Sequence, residues 1–470
     1  MPFESLPTPH PYMANSNPTA RERMLRDIGV ATVEELFEQI PPDNRTAHEF
    51  AWPPALRAES DLFQHVSGIL RKNGNCSENL SFLGAGVYQH YVPAVVDTVI
   101  SRSEFLTPVW GTSASDHGRM QAWFEFTSQL GELLEMDFVG LPVYSYGAAA
   151  GHAIRMAARI TGRHEVLVPR NIDPERMAVL RTYGGYPQLA GFIDIVIVDY
   201  DPATGLLDRD DLAAKISERT AAVYVENPNY FGLVEPDGAS IAALARSHGA
   251  ELIVGVDPIS LGVLAPPSSY GANITVGTIQ TLGVHMNCGG GVAGFIATSD
   301  DERYARQFPT LQVSLADTVV PGERSFGLTL FEQTSYGSRE HGNDWTGNGV
   351  YLWAIAASVY LSLMGPSGLR ELGTTIVQRS NYAAQQLATI DGVRIRWSSP
   401  FFREFVVTFE NGLPLEEMDR RLREAGIFGG KDLSRDFPEL GQSALYCVTE
   451  MHSQESIDRL VATLQEVIGR

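Results

Sequence analysis

The chain has 470 residues and a formal net charge of −21, with 44% hydrophobic and 19% charged residues. A chain of this length is expected to form two or three domains, and its composition is that of an ordinary soluble globular protein. The acidic balance argues against nucleic acid and anionic membranes as partners, because both need clustered Lys and Arg. No run approaches the ~18 apolar residues of a membrane span, and the N-terminus lacks the basic and apolar regions of a secretory signal.

The cysteines point to a reducing compartment. Cys76, Cys288 and Cys447 are odd in number, widely spaced and without a CxxC pair. This pattern favours reduced thiols over a disulfide framework or a zinc site. We therefore expect a cytoplasmic protein without a metal centre. Cys288 lies in a glycine-rich loop, where it is interpreted as an inert small residue rather than a reactive thiol.

Residues 1–75 are predicted to form a helical arm rather than a domain. A first helix is expected over Thr19–Ile28 and a third over Glu59–Leu70. Between them, Thr32 and Glu35 have the order of a capping box, which predicts a second helix. Such an arm is expected to bury its apolar stripe on another subunit or on the main domain.

Residues 76–330 alternate helical and strand patterns, which predicts a large α/β domain. Helices are expected at Val92–Ser101, Asp116–Glu135, Gly147–Ile160, Asp208–Ser217 and Gly238–His248, with a further helix opening at Asp173. Strands are expected at Glu165–Val168, Ile193–Val198, Ala221–Val225 and Leu252–Val256. Because these strands are apolar throughout and separated by helices, they favour a mostly parallel sheet buried on both faces.

Residues 331–470 are predicted to form a long helix and a smaller C-terminal α/β domain. The long helix is expected over Val350–Met364. The later strands and helices are expected at Val393–Trp397, Phe405–Phe409, Leu415–Glu424, Leu445–Val448 and Ser453–Ile468. No internal repeat or low-complexity linker separates the regions, so tight packing of the domains is expected.

The most informative segment is the glycine-rich loop Thr278–Gly294, TIQTLGVHMNCGGGVAG. It follows apolar stretches that end at Asp257 and Val276, a placement typical of the lysine loop of a pyridoxal-phosphate (PLP) enzyme. Only an amine can form the Schiff base with PLP, yet Gln280 stands where the lysine is expected. None of the three lysines of the chain lies near this loop in sequence: Lys72, Lys215 and Lys431.

Two further features suggest cofactor contacts. Asp257 ends a predicted strand at the edge where ligands bind in doubly wound folds, and a carboxylate there could keep a pyridine nitrogen protonated. The alternative is that Asp257 only caps the next turn. Gly147 and Ala148 open a helix whose N-terminus could hold a phosphate, although packing of small residues against the sheet explains them equally well.

Histidines supply the remaining acid–base candidates. They are His90, His117, His152, His285 and His341. No pair has the HExxH spacing of a metal site, and a lone histidine is more often structural, so only His152 and His285 are favoured as pocket residues. The wider set of pocket candidates also contains Tyr88, His90, Asp116, His117 and Asn287.

Several sequence blocks occur in one order along the chain. They are MLRDIGVATVEELFEQIP in the arm, FLGAGVYQHYVPAVVD at Phe82–Asp97, VDPISLGVLAPPSSYGANITVG at Val256–Gly277, AASVYLSLMGPSGLREL at Ala356–Leu372 and CVTE at Cys447–Glu450. Through these blocks the chain resembles subunit 1 of the two-subunit glycine decarboxylase, the P-protein of the glycine cleavage system. The resemblance extends nearly from end to end.

The resemblance implies the aspartate-aminotransferase-like fold, PLP fold type I, in an α2β2 heterotetramer. The β-type partner subunit then has the Schiff-base lysine that binds PLP, and the α-type subunit usually has glutamine at the position of Gln280. The implied activity is glycine decarboxylation: PLP stabilises the carbanion, CO2 leaves, and the aminomethyl group passes to a lipoyl carrier protein. The chain would be catalytic only with its partner.

Three segments depart from the family pattern. They are LTPVWGTSASDHGR at Leu106–Arg119, SYGAAAG at residues 145–151 and TSYGSREHGNDWTGNG at residues 334–349. Because these segments should face substrate, a divergent subunit that acts on another amino acid competes with plain glycine decarboxylation. Two other hypotheses stay open: a non-catalytic scaffold subunit, and an enzyme that has abandoned PLP and uses His285, Asp257 and Asp116.

Overall fold

The structure is a computed structural model. It describes most of the chain, in the ranges 9–10, 12–46, 51–56, 58–105, 113–329, 338–410 and 412–469, with the side chains of 113–118, 329 and 341 excepted. The chain divides into two compact units, Met1–Asn73 and Gly74–Arg470.

The described residues of the first unit form two α-helices, α1 (Pro18–Ile28) and α2 (Glu59–Leu70). The Glu35 carboxylate accepts the backbone N–H of Thr32 at 3.1 Å, as the capping box predicts. The α-helix predicted after it is wrong, since the structure has the 3-10 turn Glu34–Phe37 there and a second 3-10 turn at Pro42–Asn44. No described residue of this unit is buried, so its apolar side chains form no core of their own.

After a short strand, β1 (Leu80–Ser81), seven strands form the central sheet of the second unit. They are β2 (Phe138–Val139), β3 (Glu165–Pro169), β4 (Asp194–Val198), β5 (Thr220–Glu226), β6 (Glu251–Val256), β7 (Ile274–Thr278) and β8 (Gly294–Thr298). Their order is β2-β8-β7-β6-β5-β3-β4. Strands β3 to β7 are parallel, and β8 runs antiparallel to β7. The predicted, mostly parallel sheet is confirmed.

Helices cover both faces of this sheet. They are α3 (Ala94–Ile100), α4 (Ser113–Leu134), α5 (Tyr146–Thr161), α6 (Pro174–Gly184), α7 (Arg209–Lys215), α8 (Gly238–Ser247), α9 (Glu302–Ala305) and α10 (Leu352–Leu387). Successive side chains of a strand point to opposite faces. In β3, Val166 and Val168 pack with α5 and α6, and Leu167 packs in the core of α4, α8 and α10. Burial on both faces explains why the strands are apolar throughout.

Helix α10 is much longer than predicted. It extends over 36 residues and is kinked at Gly365, where φ is 58° and ψ is −178°. Contrary to the expectation from sequence, it is the one helix in the described ranges with the length and composition of a membrane span. Within that apolar window, 44% of the residues are buried, and the helix packs against α4, which is the usual placement of a core helix.

The remaining strands lie towards the C-terminus. They are β9 (Gln312–Asp317), β10 (Arg324–Thr329), β11 (Val393–Ile395), β12 (Glu404–Phe409), β13 (Ile427–Phe428), β14 (Lys431–Asp432) and β15 (Ser443–Cys447). Strands β9 and β10 form a hairpin that was not predicted. The order β11-β12-β15-β14 makes a second, antiparallel sheet. Helices α11 (Leu415–Glu424) and α12 (Gln454–Ile468) pack on it with the end of α10.

Candidate functional site: a buried charge cluster at the strand ends

The carboxyl ends of three neighbouring strands bring polar residues to one edge of the central sheet. Glu226 is the last residue of β5, Asp257 directly follows β6, and Gln280 lies two residues after β7. These strands are parallel neighbours, and ligands of such sheets bind at this edge. The sheet topology therefore places the predicted residues Asp257 and Gln280 at the edge where sheets of this kind bind ligands.

Asp257 has two roles in the structure. Its Oδ1 accepts the backbone N–H of Ile259 at 3.1 Å and the hydroxyl of Thr281 at 3.3 Å, so it caps the following 3-10 turn. Its Oδ2 pairs with the guanidinium of Arg403, which directly precedes β12. The structure thus shows the capping role expected from the sequence. The other expectation, that this carboxylate faces a pyridine nitrogen, is not realised in this chain, because Oδ2 is paired with Arg403.

Arg403 is the centre of a buried polar chain. Its Nη1 donates to Nε2 of His90 at 2.5 Å, so the proton of the neutral imidazole belongs on Nδ1. That Nδ1 lies 2.7 Å from the Glu450 carboxylate. The Arg403 guanidinium also lies 4.3 Å from the centre of the Tyr88 ring, a cation–π contact. The groups run in the order Glu450, His90, Arg403, Asp257.

The pKa values of the two glutamates of the cluster are shifted in opposite directions. Burial raises the pKa of Glu404 to about 7, and this carboxyl accepts the hydroxyl of Tyr88 at 2.9 Å and the N–H of Ala85 at 2.6 Å. Burial also opposes ionisation of Glu450, but the attraction and hydrogen bond of His90 outweigh it and hold the pKa of Glu450 at about 2. Glu450 is therefore ionised at neutral pH, and Glu404 is only partly so.

Gln280 is buried, and both ends of its amide are occupied. The Nε2 group donates to the carbonyls of Tyr88 at 2.8 Å and Val284 at 3.2 Å, and Oε1 accepts the N–H of Tyr88 at 3.0 Å. These bonds join the segment around Tyr88 to the glycine-rich loop. An amide cannot form a Schiff base, so the residue at this position has a structural function.

The start of α5 lies beside a second buried arginine. Gly147 and Ala148 are buried in its first turn, and the N–H of Ala148 donates to the Ser145 hydroxyl at 3.1 Å. The guanidinium of Arg176 lies 3.8 Å from the centre of the Tyr146 ring. It also donates to the carboxylate at the end of β5, at 2.8 and 3.0 Å. One N–H of the predicted phosphate site is thus already bonded within the protein.

Three other predicted residues lie outside this cluster. His152 is buried, with Nε2 2.9 Å from the Thr346 hydroxyl. His285 is exposed and lies 2.9 Å from Asp97, and Asn287 is exposed in a turn with φ of 45°. None of the three lines the cavity beside Asp257. The expectation that His152 and His285 share a pocket with Asp257 is corrected accordingly, because each is held by other partners.

The structure does not describe the side chains of three of the predicted residues. Asp116 and His117 belong to the first turns of α4, but their side chains are not among those described. The same holds for His341 in the 3-10 turn Arg339–His341. Their assignment to the pocket stays a prediction from sequence.

Sequence reasoning missed the charge partners. Glu226 follows a buried strand in the same way as Asp257, so the strand-end argument could have found it. Arg176, Arg403 and Glu404 are marked by no pattern, because long charged side chains are usually exposed. Gly84 lies against this site: a Cβ there would lie 2.3 Å from Oε1 of Glu404, so the backbone approaches that carboxyl closely.

The mostly parallel sheet, with helices on both faces, is the fold of an α/β chain of PLP-dependent fold type I. Comparison with known proteins makes this specific. The chain belongs to the family of the glycine cleavage system P-protein, whose family model matches residues 11–464.

Relatives match over nearly their whole length. A probable glycine dehydrogenase (decarboxylating) subunit 1 of Staphylothermus marinus is 37% identical, with 98% of each chain covered. The protein of the same name from Thermococcus onnurineus is 36% identical, with 97% of this chain and 99% of that one covered. These proteins are named as one subunit of a larger enzyme.

Solved structures agree with the family. A glycine decarboxylase (P-protein) of the glycine cleavage system, in inhibitor-bound form, superposes with a TM-score of 0.85 at 32% identity, covering 98% of this chain and 99% of that one. A sphingosine-1-phosphate lyase of Burkholderia pseudomallei superposes with a TM-score of 0.62 at 16% identity, covering 91% and 93%. The second likeness shows the fold alone.

The residues at the strand ends of this chain do not fit PLP. The Asp257 oxygen that would face a pyridine nitrogen is taken by Arg403. The cavity that remains measures about 30 Å³, enough for a water or two at ~10–15 Å³ each. Small-molecule sites measure ~300–1,000 Å³. The cavity is lined mainly by Tyr88, Tyr146, Arg176, Glu226, Asp257 and Arg403.

Proposed function

We propose that this chain is the α-type, lysine-less subunit of a two-subunit glycine decarboxylase (aminomethyl-transferring). A β-type partner subunit would supply the Schiff-base lysine and hold PLP, and a lipoyl carrier protein would accept the aminomethyl group. The observation that carries the proposal is Gln280: a buried amide, hydrogen-bonded to the backbone of Tyr88, stands at the lysine position in a chain that belongs to the P-protein family.

Two further observations support dependence on a partner. Relatives with more than 35% identity are named subunit 1, which implies a second subunit. The strand-end cavity of this chain is too small for PLP, so the cofactor chemistry is assigned to the partner. We also propose a cytoplasmic location, supported by three cysteines that are all free thiols.

The experiment is reconstitution from separately purified subunits. Glycine-dependent exchange of labelled CO2 is measured with a lipoyl carrier protein for this chain, for the lysine-bearing partner and for the mixture. We expect exchange only with the mixture. Exchange by this chain alone would refute the proposal. Full exchange by the partner alone would identify this chain as a non-catalytic scaffold.

A second candidate function is a subunit pair that acts on another amino acid. It is favoured by the rewritten segments at residues 106–119 and 334–349, of which residues 106–112 and 334–337 lie outside the described ranges. The rewritten helix start at 145–151 does not favour it, because that turn lies beside the closed cavity of this chain. Decarboxylation of a different small amino acid by the mixture, without glycine exchange, would select this candidate.

A further inference from the structure

We propose that Arg403 closes the cofactor pocket of this chain by acting as an internal cation. Its guanidinium occupies the position opposite Asp257 that a protonated pyridine nitrogen would need. The pocket would then exclude PLP whatever residue stands at position 280.

The buried carboxylate of Asp257 needs a positively charged partner, and Arg403 is that partner. A buried carboxylate without a partner is strongly unfavourable, so Asp257 requires a cation or a proton. In a PLP enzyme of this fold the pyridinium supplies that positive charge. Here the Arg403 guanidinium pairs with Oδ2 of Asp257, and Oδ1 is occupied by Ile259 and Thr281. The carboxylate has no further need of the cofactor.

The Arg403 guanidinium also resembles a pyridine ring in shape. A guanidinium is flat and delocalised, and it stacks on aromatic rings as a pyridine ring does. The Arg403 guanidinium lies 4.3 Å from the ring centre of Tyr88 and 5.1 Å from that of Phe402. Its Nη1 is held by His90 at 2.5 Å. The group is thus fixed on three sides and cannot move aside without breaking buried contacts.

The Arg403 side chain also fills the space beside Asp257. With Arg403 in place the cavity measures about 30 Å³. Shortening this side chain to alanine would leave Asp257 without its cation and would add the space of the guanidinium to the existing cavity. A site of that kind favours small planar organic cations, because they restore both the charge and the stacking on Tyr88.

The first experiment is chemical rescue of the full-length Arg403→Ala variant. Removing one partner of a buried ion pair is strongly destabilising, and for a chain of this length we expect the thermal midpoint to fall by roughly 3–5 °C. Millimolar methylguanidinium chloride should restore most of this loss, whereas sodium chloride of equal ionic strength should not. The matched control is Phe402→Ala, which opens a buried apolar space beside the site and should gain nothing from methylguanidinium. Equal rescue of both variants, or of neither, would overturn the proposal.

The second experiment separates Arg403 from the missing lysine. Gln280→Lys, Arg403→Ala and the double variant are incubated with PLP, reduced with borohydride and mapped by peptide mass spectrometry. We expect PLP at position 280 only in the double variant, with Arg403→Ala giving the background from native lysines. Labelling of Gln280→Lys alone to the same extent would show that the pocket was never closed.

The labelling experiment can still be interpreted if the Arg403→Ala variants fold poorly. If Arg403→Ala variants are unstable, they are prepared in methylguanidinium and dialysed into PLP immediately before reduction, with circular dichroism recorded on the same sample. A folded double variant that stays unlabelled contradicts the proposal. Loss of subunit pairing or of glycine exchange tests the proposed function instead, because neither readout depends on labelling at position 280.

Discussion

Buried charges in this protein are neutralised by residues from distant parts of the chain. Asp257 is paired with Arg403 and Glu226 with Arg176. A buried charge that loses its partner destabilises the fold far more than an exposed one. The strand-end residues are therefore held in place by ionic contacts rather than by a cofactor.

His152 should make the protein sensitive to acid. Burial lowers its pKa from the ordinary 6.5 to about 4, against the attraction of Asp344 and with help from Arg159 and Arg155. The unfolded chain binds this proton near pH 6.5, and the folded chain does so only near pH 4. Stability from this residue is thus complete above pH 6.5 and is lost as the pH falls towards 4, by roughly 3 kcal/mol in total.

Thermal unfolding between pH 7 and pH 4.5 tests this effect. His152→Gln should keep a hydrogen bond to Thr346. In this variant the midpoint temperature of unfolding should decrease less as the pH falls from 7 to 4.5. The control is His285→Gln, an exposed position, which should leave the slope as it is. An unchanged slope in His152→Gln would show that another group sets the acid sensitivity.

Glu404 should produce the opposite slope. Its folded pKa of about 7 lies above the ordinary value of 4.5, so the folded chain binds more protons between those pH values. Its contribution to stability therefore falls as the pH rises from 4.5 to 7. Glu404→Gln should stabilise the protein at pH 8 relative to pH 5, measured by the unfolding midpoint. Glu416→Gln, on the exposed surface of α11, should show no such difference.

At the scale of the elements, helix α10 joins two cores through one glycine. Before the kink, Ile355 packs in the core of the central sheet, and near the end of the helix Leu387 packs in the core of the second sheet. At Gly365 the combination of φ 58° and ψ −178° is open only to glycine. The change of direction depends on that residue and on Pro366, which lacks the N–H that a straight helix needs.

Alanine substitutions at two glycines of α10, three residues apart, distinguish the cost of backbone strain from the effect of packing on the free energy of unfolding. Gly365→Ala meets no atom within 4 Å, so its cost is conformational, and a loss of ~1–3 kcal/mol is expected. Gly368→Ala, at a helical φ, should be neutral or stabilise by up to ~1 kcal/mol. Chemical unfolding of both variants measures the difference. Equal effects at the two positions would contradict the kinked geometry.

How much of this could be predicted differs between the elements. The parallel strands were identifiable because burial on both faces makes them uniformly apolar, as in Leu252–Val256. Helix α10 was cut short at Met364, because Gly365-Pro366 is an ordinary helix-stop signal and only tertiary packing carries the helix past it. The hairpin β9–β10 was missed, because its strands are partly exposed and lack that uniform pattern.

The same limits apply to the site. Asp257 and Gln280 were predictable because each follows a strand that the sequence marks clearly. Arg403 was not, because its burial depends on a contact across more than 140 residues with Asp257, and no local pattern encodes such a pair. The two candidate histidines were misplaced for a related reason. A histidine in sequence does not show which partner, such as Thr346 or Asp97, will hold it.

At the scale of the whole molecule, the described part of the first unit leaves large apolar side chains exposed. On α2, Phe63 is 72% exposed and Leu70 is 58% exposed. Exposed apolar stripes of this kind usually mark an interaction surface. We expect Phe63→Ser with Leu70→Ser to weaken binding to the lysine-bearing partner at least tenfold by calorimetry and to leave the unfolding midpoint of the isolated chain unchanged.

The control for that experiment lies on the same helix. Gln64→Ser replaces an exposed polar residue and should leave the affinity for the partner intact. Unchanged binding of the double variant would exclude α2 from the subunit interface. A lowered unfolding midpoint in the isolated double variant would instead show that the stripe is used within the chain.

The most direct test of partner dependence is to locate PLP in the reconstituted pair. The pair is reduced with borohydride, and the covalently attached cofactor is mapped by peptide mass spectrometry. Our account predicts that all of it is found on a lysine of the partner and none on this chain, whose only lysines are Lys72, Lys215 and Lys431. Stoichiometric PLP on any of these three, or PLP retained by this chain alone, would contradict the account.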